Sequence, residues 1–131
     1  MLAKAYREIA ERHLQAARLA AQNALPEIAI FHCYHAFESI ACAGIAYSGQ
    51  PIPKTHRGKI NRFTNIHRAF PFGRAASAVA ATVVPLRNRT LYPEVAPSPV
   101  SPAQSFTDAD ALKLIQRVNG VVRTIARALG L

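Results

Sequence analysis

Residues Ile28–Tyr47 form an apolar run long enough to cross a bilayer, and this run constrains what the rest of the chain must do. It also carries His32, His35 and Glu38, each of which is costly in lipid. The reading is therefore a buried helix of a soluble domain, with no membrane partner. Pro26 suits a first helical turn. Gly49-Gln-Pro-Ile-Pro53 is a cluster of breakers, so the helix spans Pro26 to Tyr47. A buried Glu38 needs a polar partner. His35 on the same face, or Arg87 from a neighbouring helix, is expected to supply it. Cys33 and Cys42 would sit about 13 Å apart along this helix, too far for a disulfide. They read as reduced, buried thiols of a cytoplasmic protein. His32, His35, Glu38 and Cys42 spread over about 15 Å of helix and cannot share one ion, so no metal and no cofactor is expected.

The remaining segments supply partners for that helix. With 131 residues the chain reads as one domain, 1–131, with no secretory leader. Residues 2–24 read as a helix whose inner positions are Leu2, Tyr6, Ile9, Ala10, His13, Ala16, Ala17 and Ala20. Residues 54–70 read as a short helix with Ile60, Phe63, Ile66 or His67, and Phe70 facing inward. Lys54, Arg57, Lys59, Arg62 and Arg68 are expected to point outward. Gly58 costs about 1 kcal/mol in a helix interior, which favours a start after it. Arg74 to Val84 is the next helix. Residues 93–105, with four prolines and three serines, read as an exposed, mobile loop. Thr107 is placed to cap a last helix, with Asp108 and Asp110 in its first turn. Its expected buried stripe is Leu112, Ile115, Val118 or Asn119, Val122, Ile125 and Leu129. There is no internal repeat and no convincing strand. The architecture that follows is all-α, an antiparallel four-helix bundle with an additional short helix.

Charge is distributed unevenly. The chain carries a net +9, and residues 51–93 hold eight basic residues and no acid. Residues 1–50 are balanced, and residues 94–131 contribute +1. Phe63, Phe70, Phe72 and Tyr92 are interleaved with the basic residues, a pattern suited to stacked bases and paired phosphates. RNA or a nucleotide is the partner this implies. The plainer alternative is a solvated basic face with its aromatic residues in the core.

Within that third lies Pro85-Leu-Arg-Asn-Arg-Thr-Leu-Tyr-Pro93. Pro85 should kink or restart a helix running into it. Pro93 should end the helix at about Tyr92. The two prolines fix where Arg87, Asn88, Arg89 and Tyr92 point. Arg87, Asn88 and Tyr92 are the candidate catalytic residues of the turn. His56, Arg57, Lys59, Arg62 and Arg89 are the candidate RNA- or nucleotide-binding residues, with His35 and Glu38 in support. The structural alternative is a salt bridge from Arg87 to Glu38, with Tyr92 packing at the helix end.

Three stretches together resemble the HEPN superfamily, in particular its small stand-alone bacterial members. They are Tyr34-His-Ala-Phe-Glu-Ser-Ile-Ala-Cys-Ala43, Thr55-His-Arg-Gly-Lys59 followed by Phe63, and Arg87-Asn-Arg-Thr-Leu-Tyr92. The resemblance covers roughly residues 5–130. It implies a helical homodimer with two such turns on either side of a shared cleft. Many members are metal-independent endoribonucleases built on an arginine, a polar neighbour and a histidine four to six residues beyond the arginine. Arg87 and Asn88 match the first two positions. The histidine would fall at Tyr92, Pro93 or Glu94, and none is histidine. The tyrosine that follows the histidine in the toxin branch, a target of adenylylation, would fall at Glu94. Cleavage through the RNA's own 2′-hydroxyl needs a base as well as a cation, and Tyr92 is a poor base at neutral pH. His56 or His67 would have to supply it. The expectation is an RNA- or nucleotide-binding domain with a degenerate ribonuclease motif. The alternative is a non-catalytic interaction module, or a toxin-like partner of a nucleotidyltransferase-type antitoxin.

Overall fold

The computed structural model describes residues 1–95 and 97–131; Ala96, in the expected 93–105 loop, lies outside the described residues. The described residues form helices α1 Leu2–Gln22, α2 Pro26–Tyr47, α3 His56–His67, α4 Gly73–Val83, α5 Leu86–Leu91, α6 Pro102–Ser105 and α7 Asp108–Ala128. Apart from an isolated bridge between Glu94 and Val100, the described residues hold no β pairing. The fold is an all-α bundle, as the sequence implies.

α2 is its axis. A helix that is apolar all round must be surrounded, and α2 touches every other helix. Of its 22 residues, 14 are buried. By length and composition it could cross a membrane, but its apolar surface is covered by its own neighbours. Cys33 and Cys42 are buried on it as free thiols. Burial pushes Cys33 up to about 12 and Cys42 up to about 11, so both are protonated at neutral pH.

α1 stops at Gln22 rather than 24, because Leu25 N bonds back to Ala20 O and Ala24 takes a left-handed φ of 56°. Its inner stripe is Ala3, Ala10, Leu14, Ala17 and Ala20, and the four alanines let α1 lie close to α2. Leu2 and Ile9, expected on that stripe, are exposed. On α7 the buried stripe includes Ala111, Leu114 and Ile115, which leaves the expected Leu112 exposed. Thr107 caps α7 as expected, forming a reciprocal capping box with Asp110.

α3 begins before Gly58, not after it. Thr55 caps the helix by accepting a hydrogen bond from Gly58 N at 3.0 Å. A side chain at 58 would meet that capping hydroxyl, with a Cβ 2.7 Å from Thr55 Oγ1. The other end of α3 presses on α2 at Gly44, where a Cβ would lie 2.7 Å from the Phe63 ring and 2.9 Å from His67 Nε2. Pro85 does restart the chain: α4 ends at Val83, and α5 is a separate helix. Tyr92 is extended, with φ −126° and ψ 141°, and terminates α5 as Pro93 requires.

Gly44→Ala should lower stability. Its extra methyl overpacks the α2–α3 contact at a cost of about 1–3 kcal/mol. That should exceed the ~1 kcal/mol that alanine gains in helix propensity. Chemical denaturation should show a lower midpoint with an unchanged slope.

Candidate functional site

Glu38 is the one carboxylate buried among the described residues. It projects from the middle of α2, and three groups satisfy it, Lys59 with a positive charge and Tyr34 and His56 with hydrogen bonds. Tyr34, one turn earlier on the same helix, donates its hydroxyl to Oε2 at 2.9 Å. His56 and Lys59 come from the first turns of α3, three residues apart and so on one helix face. His56 Nδ1 lies 2.5 Å from Oε2, and Lys59 Nζ lies 3.0 Å from Oε1. The Thr55 cap orients both by fixing where α3 starts.

Arg87 approaches from α5. Its guanidinium lies 5.8 Å from the centre of the Tyr34 ring. Its Nε is buried without a hydrogen-bond partner, and its Nη1 makes a long 3.4 Å contact to Asn88 Oδ1. Arg87 makes no ion pair with Glu38, contrary to the structural alternative raised by the sequence. His35 does not hydrogen-bond Glu38 either. Its ring sits 5.2 Å from Tyr34, 6.0 Å from His56 and 5.4 Å from His13. His13 in turn places Nδ1 3.0 Å from His32 Nδ1. Four imidazoles from α1, α2 and α3 thus line one seam that leads to the Tyr34–Arg87 contact.

The local pKa values follow from this packing. Burial alone would raise Glu38, but the hydrogen bonds from His56, Lys59 and Tyr34 outweigh it and hold the carboxyl below its usual value. Lys59 is raised, the effect of Glu38 overcoming burial. Burial, reinforced by Glu38, pushes the Tyr34 phenol up. Burial brings His35 down to about 4, and it also lowers His13 and His32. A carboxylate only accepts, so His56 Nδ1 carries the proton in that bond. In a neutral ring, Nε2 is then left with a free lone pair. An imidazole held by a carboxylate in this way is oriented for acid–base chemistry.

The other expected residues disperse. Lys59, expected to point outward, turns back to Glu38. Arg62 is spent on Pro51 O at 2.8 Å. Arg57 is exposed. Arg89 lies on the other side of α5, near Glu94 and over the Phe106 ring. Tyr92 is 63% exposed and makes no side-chain hydrogen bond among the described residues. His67 is fully buried against Phe63, Phe70 and Phe72, with Nε2 at 3.1 Å from Gly44 O, so it cannot serve as a base at Arg87. Phe70, expected inside, remains 41% exposed. The residue that sequence reasoning missed is Tyr34. Its signal was the four-residue spacing to Glu38.

Stability should fall in acid. His35, His13 and His32 have folded pKa values below their unfolded ones, so the unfolded chain takes up protons first. Their contribution is complete above about pH 6.5 and is lost as pH falls toward 4; Glu38 adds a loss of the same sign below its unfolded value. Thermal unfolding between pH 7 and 4 should show a falling Tm, and His35→Phe should make that fall shallower.

A family model described as HEPN domain matches residues 3–128. Searches of the curated proteins and of the solved structures found no match. With nearly the whole length matched, and with the helical bundle described above, the chain belongs to the HEPN family.

Proposed function

We propose that this domain binds RNA at the seam where α5 meets α2 and α3, with Arg87 as the phosphate ligand. Family membership supports a nucleotide- or RNA-related role in general. The observation that carries the finer reading is the Arg87 guanidinium. Its Nε is desolvated and unpaired, and it stands over Tyr34, whose hydroxyl shares the Glu38 carboxylate with His56. A buried donor without a partner costs free energy that a phosphate oxygen would recover. The acid-free run from 51 to 93 favours the approach of a polyanion.

The same geometry supports metal-independent cleavage. His56 Nε2 takes the proton of a ribose 2′-hydroxyl. The 2′-oxygen bonds to phosphorus, the bond to the 5′-oxygen breaks, and that oxygen takes a proton from solvent, to which the His56 imidazolium then returns its own. Arg87 offsets the charge that builds on the phosphate oxygens. His56 thereby occupies the role of the histidine missing after Arg87, from a different helix.

A homodimer belongs to this reading. Leu2, Ala5, Ile9, Arg12, Ala16 and Leu19 recur on α1 at three- and four-residue spacing, and Leu2, Ile9 and Leu19 are exposed. Ile28 of α2 is exposed as well. A second copy on this face would bring two histidine seams together.

Arg87→Ala should weaken binding of single-stranded RNA tenfold or more, the loss of a charged hydrogen bond worth about 1.5–3 kcal/mol. It should also flatten the salt dependence, by about 0.7 in log–log slope for each phosphate that is no longer neutralised. Fluorescence anisotropy across a salt series measures both, and unchanged affinity and slope would remove Arg87 from the interface. In chelator, RNA cleavage should be abolished by His56→Ala and untouched by His67→Ala. Ile9→Glu should shift the protein from dimer to monomer in sedimentation; a wild type that is already monomeric would rule out the homodimer.

A further inference from the structure

His13 of α1 and His32 of α2 take no part in the chemistry above. Their Nδ1 atoms lie 3.0 Å apart, although the residues are 19 positions apart in the chain. Both rings are half-buried. With Ile9, Arg12 and Ala16 they line a surface hollow of about 330 Å³. A search for ligands along α2 alone misses this pair, because its second member comes from α1.

Burial lowers the pKa of both rings, so both are neutral near pH 7. A neutral imidazole is a metal ligand. With the proton of each ring on Nε2, the two Nδ1 lone pairs converge between the helices. Two nitrogens bound at ~2.0–2.1 Å to one tetrahedral zinc ion stand about 3.3–3.4 Å apart. The rings therefore need to part by only a few tenths of an ångström to hold an ion. His35 stacks on His13 but does not line the hollow, and His56 is tied to Glu38. Among the described residues no three His, Cys, Asp or Glu side chains are grouped to hold a metal ion. One copy of the chain thus offers half of a four-ligand set.

The other half follows from where the pair stands. Ile9 lies one turn before His13 on α1, and Ile28 one turn before His32 on α2. Both are exposed, as is Leu19 further along α1. The imidazole pair sits among these apolar residues, on the face assigned above to a second copy. In a two-fold interface the same patch meets itself, and residues at its centre meet their own counterparts. A second His13–His32 pair would then face the first, and four Nδ1 atoms would surround one point. Arg12 is the opposing charge at the hollow; it is exposed, so water and salt screen it.

We infer that two copies of this chain share one divalent transition-metal ion of the zinc class, bound by His13 and His32 of each. The inference rests on the homodimer reading. The ion is structural: it braces the pair and takes no part in RNA cleavage, whose residues lie within each chain.

The probe is zinc, titrated into the chelator-stripped full-length chain by calorimetry and sedimentation. One ion per two chains is expected, with the dimer dissociation constant lowered tenfold or more. His13→Asn and His32→Asn each keep a hydrogen-bonding side chain and remove a ligand. Both should lose the effect of zinc while retaining the dimer that forms without it, and His35→Phe should respond to zinc as the wild type does. Cobalt in place of zinc, bound to the wild type, should give the strong visible absorption of a tetrahedral site. The inference is overturned by one ion per chain, by asparagine variants that bind zinc unchanged, or by the weak absorption of octahedral cobalt. If the stripped chain is dimeric and zinc leaves it unaltered, the inference falls and the homodimer stands. A chain that is monomeric with and without zinc removes both. A chain that is monomeric when stripped and pairs around one ion supports the site, and removes the reading in which apolar contact alone joins the copies.

Discussion

A carboxylate enclosed in the middle of a helical bundle must be neutralised where it stands. Glu38 is that group, and the position of α3 is the solution. Leaving such a charge without its partners costs about 3–5 kcal/mol, enough to dictate where a twelve-residue helix docks. α3 is held at its start by the Thr55 cap and by the His56 and Lys59 contacts to Glu38. It is held at its end by Phe63 and His67 against Gly44. Between these points α3 has little freedom to slide along α2. The His56 ring inherits its direction from the same contact that satisfies the acid.

Chain punctuation was legible in the sequence, because proline, glycine and capping residues act locally. Pro26, Thr107, Pro85 and Pro93 each do in the structure what their backbone chemistry requires. Choices between neighbouring residues were not legible. A period of 3.6 leaves the phase of an apolar stripe uncertain by one residue, so Leu2, Ile9 and Leu112 turned out to face solvent. The partner of Glu38 was hidden for a related reason. Arg87 was a sensible candidate by charge, but His56 and Lys59 win because Thr55 starts α3 before Gly58, and that start brings both side chains onto α2. His67 looked equivalent to His56 in the sequence. The missing side chain at Gly44 draws it into the core and separates their roles.

α5 is short, and the bracketing prolines make it a partition. Its six residues send Arg87 to one side and Arg89 to the other. Each guanidinium meets an aromatic ring, but the surroundings differ. Arg87 stands over Tyr34, whose hydroxyl donates to Glu38. Arg89 lies over Phe106 near Glu94 and lines a cavity with Lys113 and Arg117. A six-residue helix thus serves two distinct faces.

Cys33 and Cys42 are sealed by α2's neighbours and stay protonated near pH 7. The folded protein is therefore chemically silent toward thiol-directed labels. A single cysteine introduced on an exposed turn would be the sole reactive position on the native molecule. Fluorophores or spin labels could then be attached without first stripping two small, well-packed side chains from the bundle's axis.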